Sequence, residues 1–466
     1  MRRTVLALLL LSLLPGAISA AQMPGNAPQA ACLADGQIED ILLVGGIAYL
    51  AGRFQNVRPP GEVIGGPLEV ARNWFAACDA KTGAVLAWNP QATCDPGPFP
   101  TCGNSPRGQT LALSADGQSI YIGGKFRALG GVPGSARKHA ARVSRTTAAL
   151  DPLWLPEPND RVQRIVAAPD GARVYVAGNF TAIGGCGTTP CHAYLAAVSP
   201  TTGLLDSSFD PIIESDGGTF ASVYAVALSP DGQTLYLGGQ FDTVDTARRS
   251  SAAAVDSATG ASATLFAPAL VDTNPGDPDV QVYDIQVDRN WVYLCGDWWV
   301  TEGIGDQQNQ RNVNRFAPAS GAVDTGFWIA TDGGVQACAL DPDLGVLFVG
   351  GHFDCVRAWQ DSTTPVDPAP APCGTDPFFV GTQQRDLFAL TVADGTLLPW
   401  NPNTAGAAGT WALTRDNGRL LVGGELAWPR TGTATHQSLL AYPLPVFADG
   451  FEQENSDRWS ATFPPN

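Results

Sequence analysis

A six-residue phrase of aromatic or aliphatic, aliphatic, small, Gly, any residue and Phe returns seven times along this 466-residue chain. It reads Tyr49-Leu50-Ala51-Gly52-Arg53-Phe54, then ends in Phe126, Phe180 and Phe241 in three further close copies. Looser copies end in Trp298, Phe353 and Leu426. The invariant glycines, from Gly52 to Gly424, lie 54 to 73 residues apart. A recurrence of this kind means that each unit buries its apolar faces against its neighbours, so it constrains the fold far more than the activity.

Each phrase comes after an apolar strand and a tight turn, as in Val226 to Leu228 before Ser229-Pro230-Asp231-Gly232. Asp-Gly between two apolar runs signals a hairpin, because glycine supplies the positive φ the turn needs. A third strand closes on a Thr-Gly type turn, as in Ala253-Ala254-Val255-Asp256 before Thr259-Gly260. A fourth ends in an aromatic, a spacer and a proline: Trp88-Asn89-Pro90, Trp154-Leu155-Pro156, Phe209-Asp210-Pro211, Phe266-Ala267-Pro268 and Trp400-Asn401-Pro402. Proline lacks the N–H a ladder needs, which puts this strand outermost. The chain is expected to be all-β, a seven-bladed β-propeller of four-stranded antiparallel blades over residues 37–446. The seventh blade lacks its own fourth strand, and either residues 22–36 or the tail at 447–466 is expected to fill that place.

Arg2 and Arg3, the apolar run Val5 to Leu14, and small residues through Ala21 have the layout of a cleaved export signal over residues 1–21. Losing both arginines takes the formal charge from −17 to −19. Lysine occurs only at Lys81, Lys125 and Lys138. Such an acidic chain is a poor partner for nucleic acid or an anionic membrane surface. No later stretch is long and apolar enough for a span, so the expectation is a secreted or periplasmic monomer.

All ten cysteines lie beyond the signal, an even number in an oxidising compartment, and disulfides are expected rather than a metal cluster. Spacing suggests Cys94 with Cys102, Cys186 with Cys191, and Cys355 with Cys373. Cys32 with Cys78 and Cys295 with Cys338 then remain by elimination, although spacing does not prove connectivity.

The combination of Pro-Asp-Gly, Tyr-x-Gly-Gly-x-Phe, and Thr-Gly with a later aromatic-x-Pro strand resembles the delta-60 repeat β-propellers of bacteria, over roughly residues 37 to 446. The resemblance implies the propeller fold and carries no general activity and no agreed catalytic residues. The end of the chain, around Asp449-Gly450-Phe451-Glu452, is similar to a short tail of many exported gammaproteobacterial proteins. The turn from Cys78 to Gly83 before Trp88 resembles the tryptophan-docking motif of quinoprotein dehydrogenases, but those are eight-bladed with a vicinal cysteine pair, and the likeness is local.

In a propeller the long connections share one face, and here they are residues 55 to 71, 89 to 109, 269 to 280 and 354 to 384. The three local disulfides fall in loops of that same face, Cys186 with Cys191 in a shorter one, and function concentrates on loops held by a rigid scaffold. One donor recurs where each loop enters the third strand: Arg72, Arg137, His192, Arg249, Arg311, Arg385 and His436. Such a ring can meet carboxylates or hydroxyls of a ligand, or bond the backbone of the adjoining loop. The repeated aromatics read as inter-blade packing. Trp74, Trp299, Trp359, Phe378 and Phe379 stand outside the repeat and are the candidates for stacking on a ligand.

The four histidines show no metal-ligand spacing, and no Gly-x-Ser-x-Gly elbow or phosphate loop occurs. Asp272, Asp277 and Asp279 lack the spacing of a calcium loop and read as a solvated turn. No cofactor is implied. The expectation is a non-enzymatic propeller recognising a glycan or protein on its long-loop face. The alternatives are a carbohydrate lyase or hydrolase on that face, which needs two converging carboxylates, or a carboxylate and a His or Tyr, with perturbed pKa values near the central channel, and a structural surface protein.

Overall fold

The computed structural model describes residues 23–94, 102–130, 136–185, 191–215, 221–263, 265–271, 280–298, 300–301, 311–358, 373, 381–416, 418–430 and 436–444. The fold is all-β, with no helix among these residues, and it is built from small antiparallel sheets. Seven of them share one plan. In the first, strand a is Ile38–Val44, strand b Ile47–Gly52 and strand c Phe75–Asp79, paired in that order. Strands a of the remaining six, sheets two to seven, are Arg107–Leu113, Val162–Ala167, Ser222–Leu228, Gln281–Val287, Val335–Asp341 and Ala405–Asp416. Each strand a contacts strand a of the next sheet, and that of the seventh contacts that of the first.

The fourth strand departs from expectation: among the described residues the seven sheets have three strands each, not four. The segment after strand c makes a single bridge to it, such as Val198↔Leu205 or Val255↔Ser262. It then leaves the ladder to bury its aromatic ring. Trp88 lies edge-on to Tyr49, with centroids 5.1 Å apart, and Phe209 meets Tyr175 at 5.4 Å. The same residues reach the next sheet, where Trp88 Nε1 donates to the Ser144 carbonyl (3.0 Å) and the Tyr175 hydroxyl to that of Ser257 (2.7 Å). In the seventh sheet the outer partner comes from the other end of the chain, as Gln29 N–H donates to the Ala441 carbonyl (2.7 Å).

Four disulfides join Cys32 to Cys78, Cys94 to Cys102, Cys295 to Cys338, and Cys355 to Cys373. Cys191 is also disulfide-bonded, while Cys186 lies outside the described residues. Their number fits an extracellular or periplasmic protein. No described helix is long and apolar enough to cross a membrane. The export segment at 1–21 and the tail at 447–466 lie outside the described residues.

The glycine of the repeated phrase answers to a specific close approach. A Cβ on Gly52, Gly178 or Gly239 would be driven into the carbonyl oxygen of Gln37, Arg161 or Ser222, at the start of strand a in the same sheet. Gly239→Ala is therefore expected to lower stability by about 1–3 kcal/mol in denaturant unfolding, the usual result of overpacking. Gly25→Ala, where a Cβ meets nothing within 4 Å, is expected to stay within about 0.5 kcal/mol.

Candidate functional site

The pressed carbonyl stands two residues ahead of a β-bulge that recurs in all seven strands a. The register slips between Ile38 and Asp40, Gly108 and Thr110, Val162 and Arg164, and Val223 and Ala225. It slips likewise between Val282 and Asp284, Val335 and Ala337, and Thr410 and Ala412. A bulge inserts one unpaired residue and re-aims its side chain. The inserted residues are Glu39, Gln109, Gln163 and Tyr224 in the first four sheets, and Tyr283, Gln336 and Trp411 in the others. All seven line one cavity of about 230 Å³.

Several of them pair with the variable residue of the Gly-Gly-x-Phe phrase. Arg53 Nε donates to Glu39 Oε1, the Tyr224 hydroxyl to Gln240 (3.2 Å), and Gln336 meets His352 Nδ1 at 2.8 Å. In these copies the variable residue of the phrase bonds a side chain that lines the cavity, beside the phrase's scaffold role.

The lining is divided by chemistry. Arg53, Arg107, Arg161 and Arg164 come from the first three sheets, and Glu39 is the one carboxylate lining the cavity among the described residues. Arg107 Nη1 donates to Glu39 Oε1 at 3.1 Å with both side chains buried. Burial, reinforced by Arg53 and Arg161, pushes the Arg107 guanidinium down to about 10, against the pull of Glu39. Aromatic rings come from the later sheets: Tyr224 stacks on Tyr283 (5.7 Å, 24°), and Tyr283 lies 6.5 Å from Trp411.

One residue past the bulges, Arg164 extends Nη1 to Asp40 (3.9 Å) and Nη2 to Asp284 (3.6 Å). Burial raises the pKa of both carboxyls, with Arg164 opposing it. Each is held by backbone donors from two sheets: Asp40 accepts from Ile41 and Leu111, and Asp284 from Ile285 and Cys338. They stitch neighbouring strands a together.

The donors at the entry to strand c turn inward to the backbone. Arg72 bonds the carbonyls of Ala71 (2.8 Å) and Leu86 (3.0 Å), and Arg137 those of Ala136 (2.7 Å) and Asp151 (3.3 Å). Arg249 bonds those of Arg248 and Ala263, Arg311 that of Thr331, and His192 Nδ1 lies 3.1 Å from that of Phe209. Arg385 pairs with Asp354. His436 opens the last strand, His436–Pro443.

Trp74 is not an aromatic outside the repeat. It belongs to a column of left-handed residues just before strand c, with Trp74 at φ 66°, His139 at 63°, Tyr194 at 69°, Ser251 at 59° and Asp386 at 60°. Their N–H groups bond the carbonyl of the phrase's Phe, and their carbonyls accept from its glycine. The Trp74 ring is buried among Phe75, Phe126 and Leu129. Trp299, Trp359, Phe378, Phe379 and the Asp272, Asp277 and Asp279 cluster lie outside the described residues. No group of three or more His, Cys, Asp or Glu able to hold a metal occurs among the described residues.

Parts of the long connections form sheets of their own. Leu33–Ala34, Asn56–Arg58 and Val70–Ala71 make one, and Ile329–Thr331, Cys355–Ala358 and Thr382–Gln383 another. A second cavity of about 530 Å³ lies between the seventh and first sheets, where Arg53 is the one cation beside Asp35 and Glu425. It contains no aromatic ring and offers less to a ligand.

No family model matches the chain, and no curated protein matches it. Among solved structures it is similar to a computationally designed protein, Ika8, at 11% identity and a TM-score of 0.44, over 91% of this chain and 100% of that one.

Proposed function

We propose that this protein is an exported seven-bladed β-propeller of the delta-60 repeat type that binds a glycan in the cavity at its axis, entered from the long-loop side. Support for the ring comes from the contacts of successive strands a, including seventh with first, and from the bond of Gln29 to the outer strand of the seventh sheet. The observation that carries the binding role is the column of seven bulges, which turns one backbone irregularity per repeat into a single lined cavity. Four kinds of side chain, one Glu, three Gln, two Tyr and one Trp, at one repeated position are what a ligand requires and a symmetric scaffold does not. The cavity begins at the first residues of strands a and the last of strands b, where the long connections enter and leave.

Purified mature protein, presented with a panel of polysaccharides and with cell-envelope fractions, is expected to deplete a glycan without releasing product. Failure to retain any of them would remove the binding role. A second reading, a lyase or hydrolase, is favoured by one observation, the raised carboxyls of Asp40 and Asp284 converging on Arg164. It predicts turnover in the same assay that is lost in Asp40→Asn and Asp284→Asn.

A further inference from the structure

The cavity is built in two arcs, and each asks for a different part of a ligand. On one side, three guanidinium groups, those of Arg53, Arg107 and Arg161, surround the Glu39 carboxylate. Arg161 has no carboxylate in salt-bridge contact among the described residues; its Nε donates to Asn179 at 3.2 Å, the Gln163 amide stands beside it, and Glu39 and Asp160 act on it from farther away. A guanidinium fork matches a carboxylate bidentately, so this arc suits a further anionic group.

On the other side Tyr283 and Trp411 supply rings whose faces stack well on the C–H face of a pyranose. Both arcs carry acceptor oxygens without donors: Glu39 Oε2 and Gln109 Oε1 on the arginine side and Gln336 Oε1 on the aromatic side are enclosed and unpartnered. Gln336 is 5% exposed and lines the cavity. An enclosed acceptor left unpaired is costly, and a turn of the amide toward the cavity lets a ligand rich in hydroxyl donors satisfy it. The volume, about 230 Å³, is below the roughly 300–1,000 Å³ of drug-sized sites and suits one ring-sized unit.

We infer that the cavity takes a single carboxylated pyranose, a uronate, with its carboxylate on Arg161 and Arg53, its hydroxyls on Gln109 and Gln336, and one face on Tyr283 and Trp411. The inference rests on the binding role proposed above and adds the chemical class of the ligand. A free acid sugar and the end unit of an acidic polysaccharide present the same chemistry.

Calorimetry with D-galacturonate, an oligogalacturonide, D-galactose, benzoate and inorganic phosphate tests it. The acid sugar is expected to bind at least about tenfold more tightly than galactose, the gain from one charge-assisted hydrogen bond, and more tightly than benzoate and phosphate, which lack the hydroxylated ring. Comparing the monomer with the oligomer separates a free acid from a chain end, because a chain-end site favours the oligomer. Arg161→Gln is expected to weaken galacturonate about tenfold or more with little change for galactose, and Arg161→Lys less. Tyr283→Ala is expected to weaken both sugars, and thermal melts of the three variants confirm that they are folded. Equal affinity for galactose, preference for benzoate or phosphate, no binding of either acidic ligand, or indifference to folded Arg161→Gln overturns the inference. Neutral glycans that bind and are lost in Tyr283→Ala would leave the binding role standing without the acid; retention of nothing in the wider panel removes both.

Discussion

Glu39→Ala is expected to lower unfolding stability by about 3–5 kcal/mol, the result of removing one member of a buried ion pair. Glu39 and Arg107 both lie inside, with side chains 1% and 8% exposed. Arg53 shares the same carboxylate oxygen. Without the carboxylate, the Arg107 charge has no counterion, and Arg53 and Arg161 add to its discomfort. The penalty belongs to the orphaned charge rather than to the loss of a favourable pair, so Glu39→Ala/Arg107→Leu is expected to recover most of it. Chemical denaturation of the two single variants and the double gives the coupling directly. A double variant no more stable than Glu39→Ala would show that the pair's packing, not its charge, holds the inner strands.

The second large effect concerns pH. Asp386 is one of the left-handed residues before strand c, and its carboxylate accepts from the Thr404 hydroxyl at 3.0 Å. Burial first, then the repulsion of Asp354, pushes its carboxyl up to about 7, against the opposing effects of Thr404, Arg385 and Arg430. A raised carboxyl means that the native state holds a proton the unfolded chain has released. Its contribution is therefore fully present near pH 4 and is lost as the pH rises toward about 7, with no further change above. A shift of about three units corresponds to about 2–4 kcal/mol, allowing for relaxation around the site. Asp386→Asn keeps an acceptor for Thr404 and suits the left-handed backbone. It is expected to abolish this decline, so that the variant and the parent differ little at pH 4 and by that amount at pH 8. Parallel stability profiles for the two proteins would contradict the assignment.

The repeat, its three inner strands and its tight turns were legible because each has a local cause. Asp-Gly dictates the hairpin, and near-continuous apolar runs dictate strands buried on both faces. The fourth strand was not legible as a single bridge, because an aromatic-x-Pro ending marks an outer segment without saying how early it leaves the ladder. The donors at Arg72, Arg137 and Arg249 showed their period, but whether a periodic arginine meets a ligand or a carbonyl depends on where its loop folds. Trp74 looked exceptional because the residue type differs from copy to copy, while the property they share is a backbone angle that leaves no compositional mark.

The cavity was the largest omission, and its signal was present. Aligning strands a places Glu39, Gln109, Gln163, Tyr224, Tyr283, Gln336 and Trp411 in one column, with residues that return to the core at the next position or two. Read singly, each is an ordinary polar or aromatic residue in a strand. Only the bulge, which the alternation rule does not anticipate, turns all seven to one side. The glycine of the repeated phrase belongs to the same device, since it yields the space that the backbone ahead of the bulge occupies.

The central claim, that binding resides in the cavity lined by the bulged residues rather than on the long connections, is tested most directly by one comparison. Retention of the best ligand from the glycan panel is measured for the parent, for Tyr283→Ala/Trp411→Ala, and for Trp359→Ala in the longest connection. The cavity variant is predicted to lose at least about tenfold in affinity, as expected for stacking aromatics, while Trp359→Ala binds like the parent. Loss in Trp359→Ala with full binding in the folded cavity variant would contradict the claim.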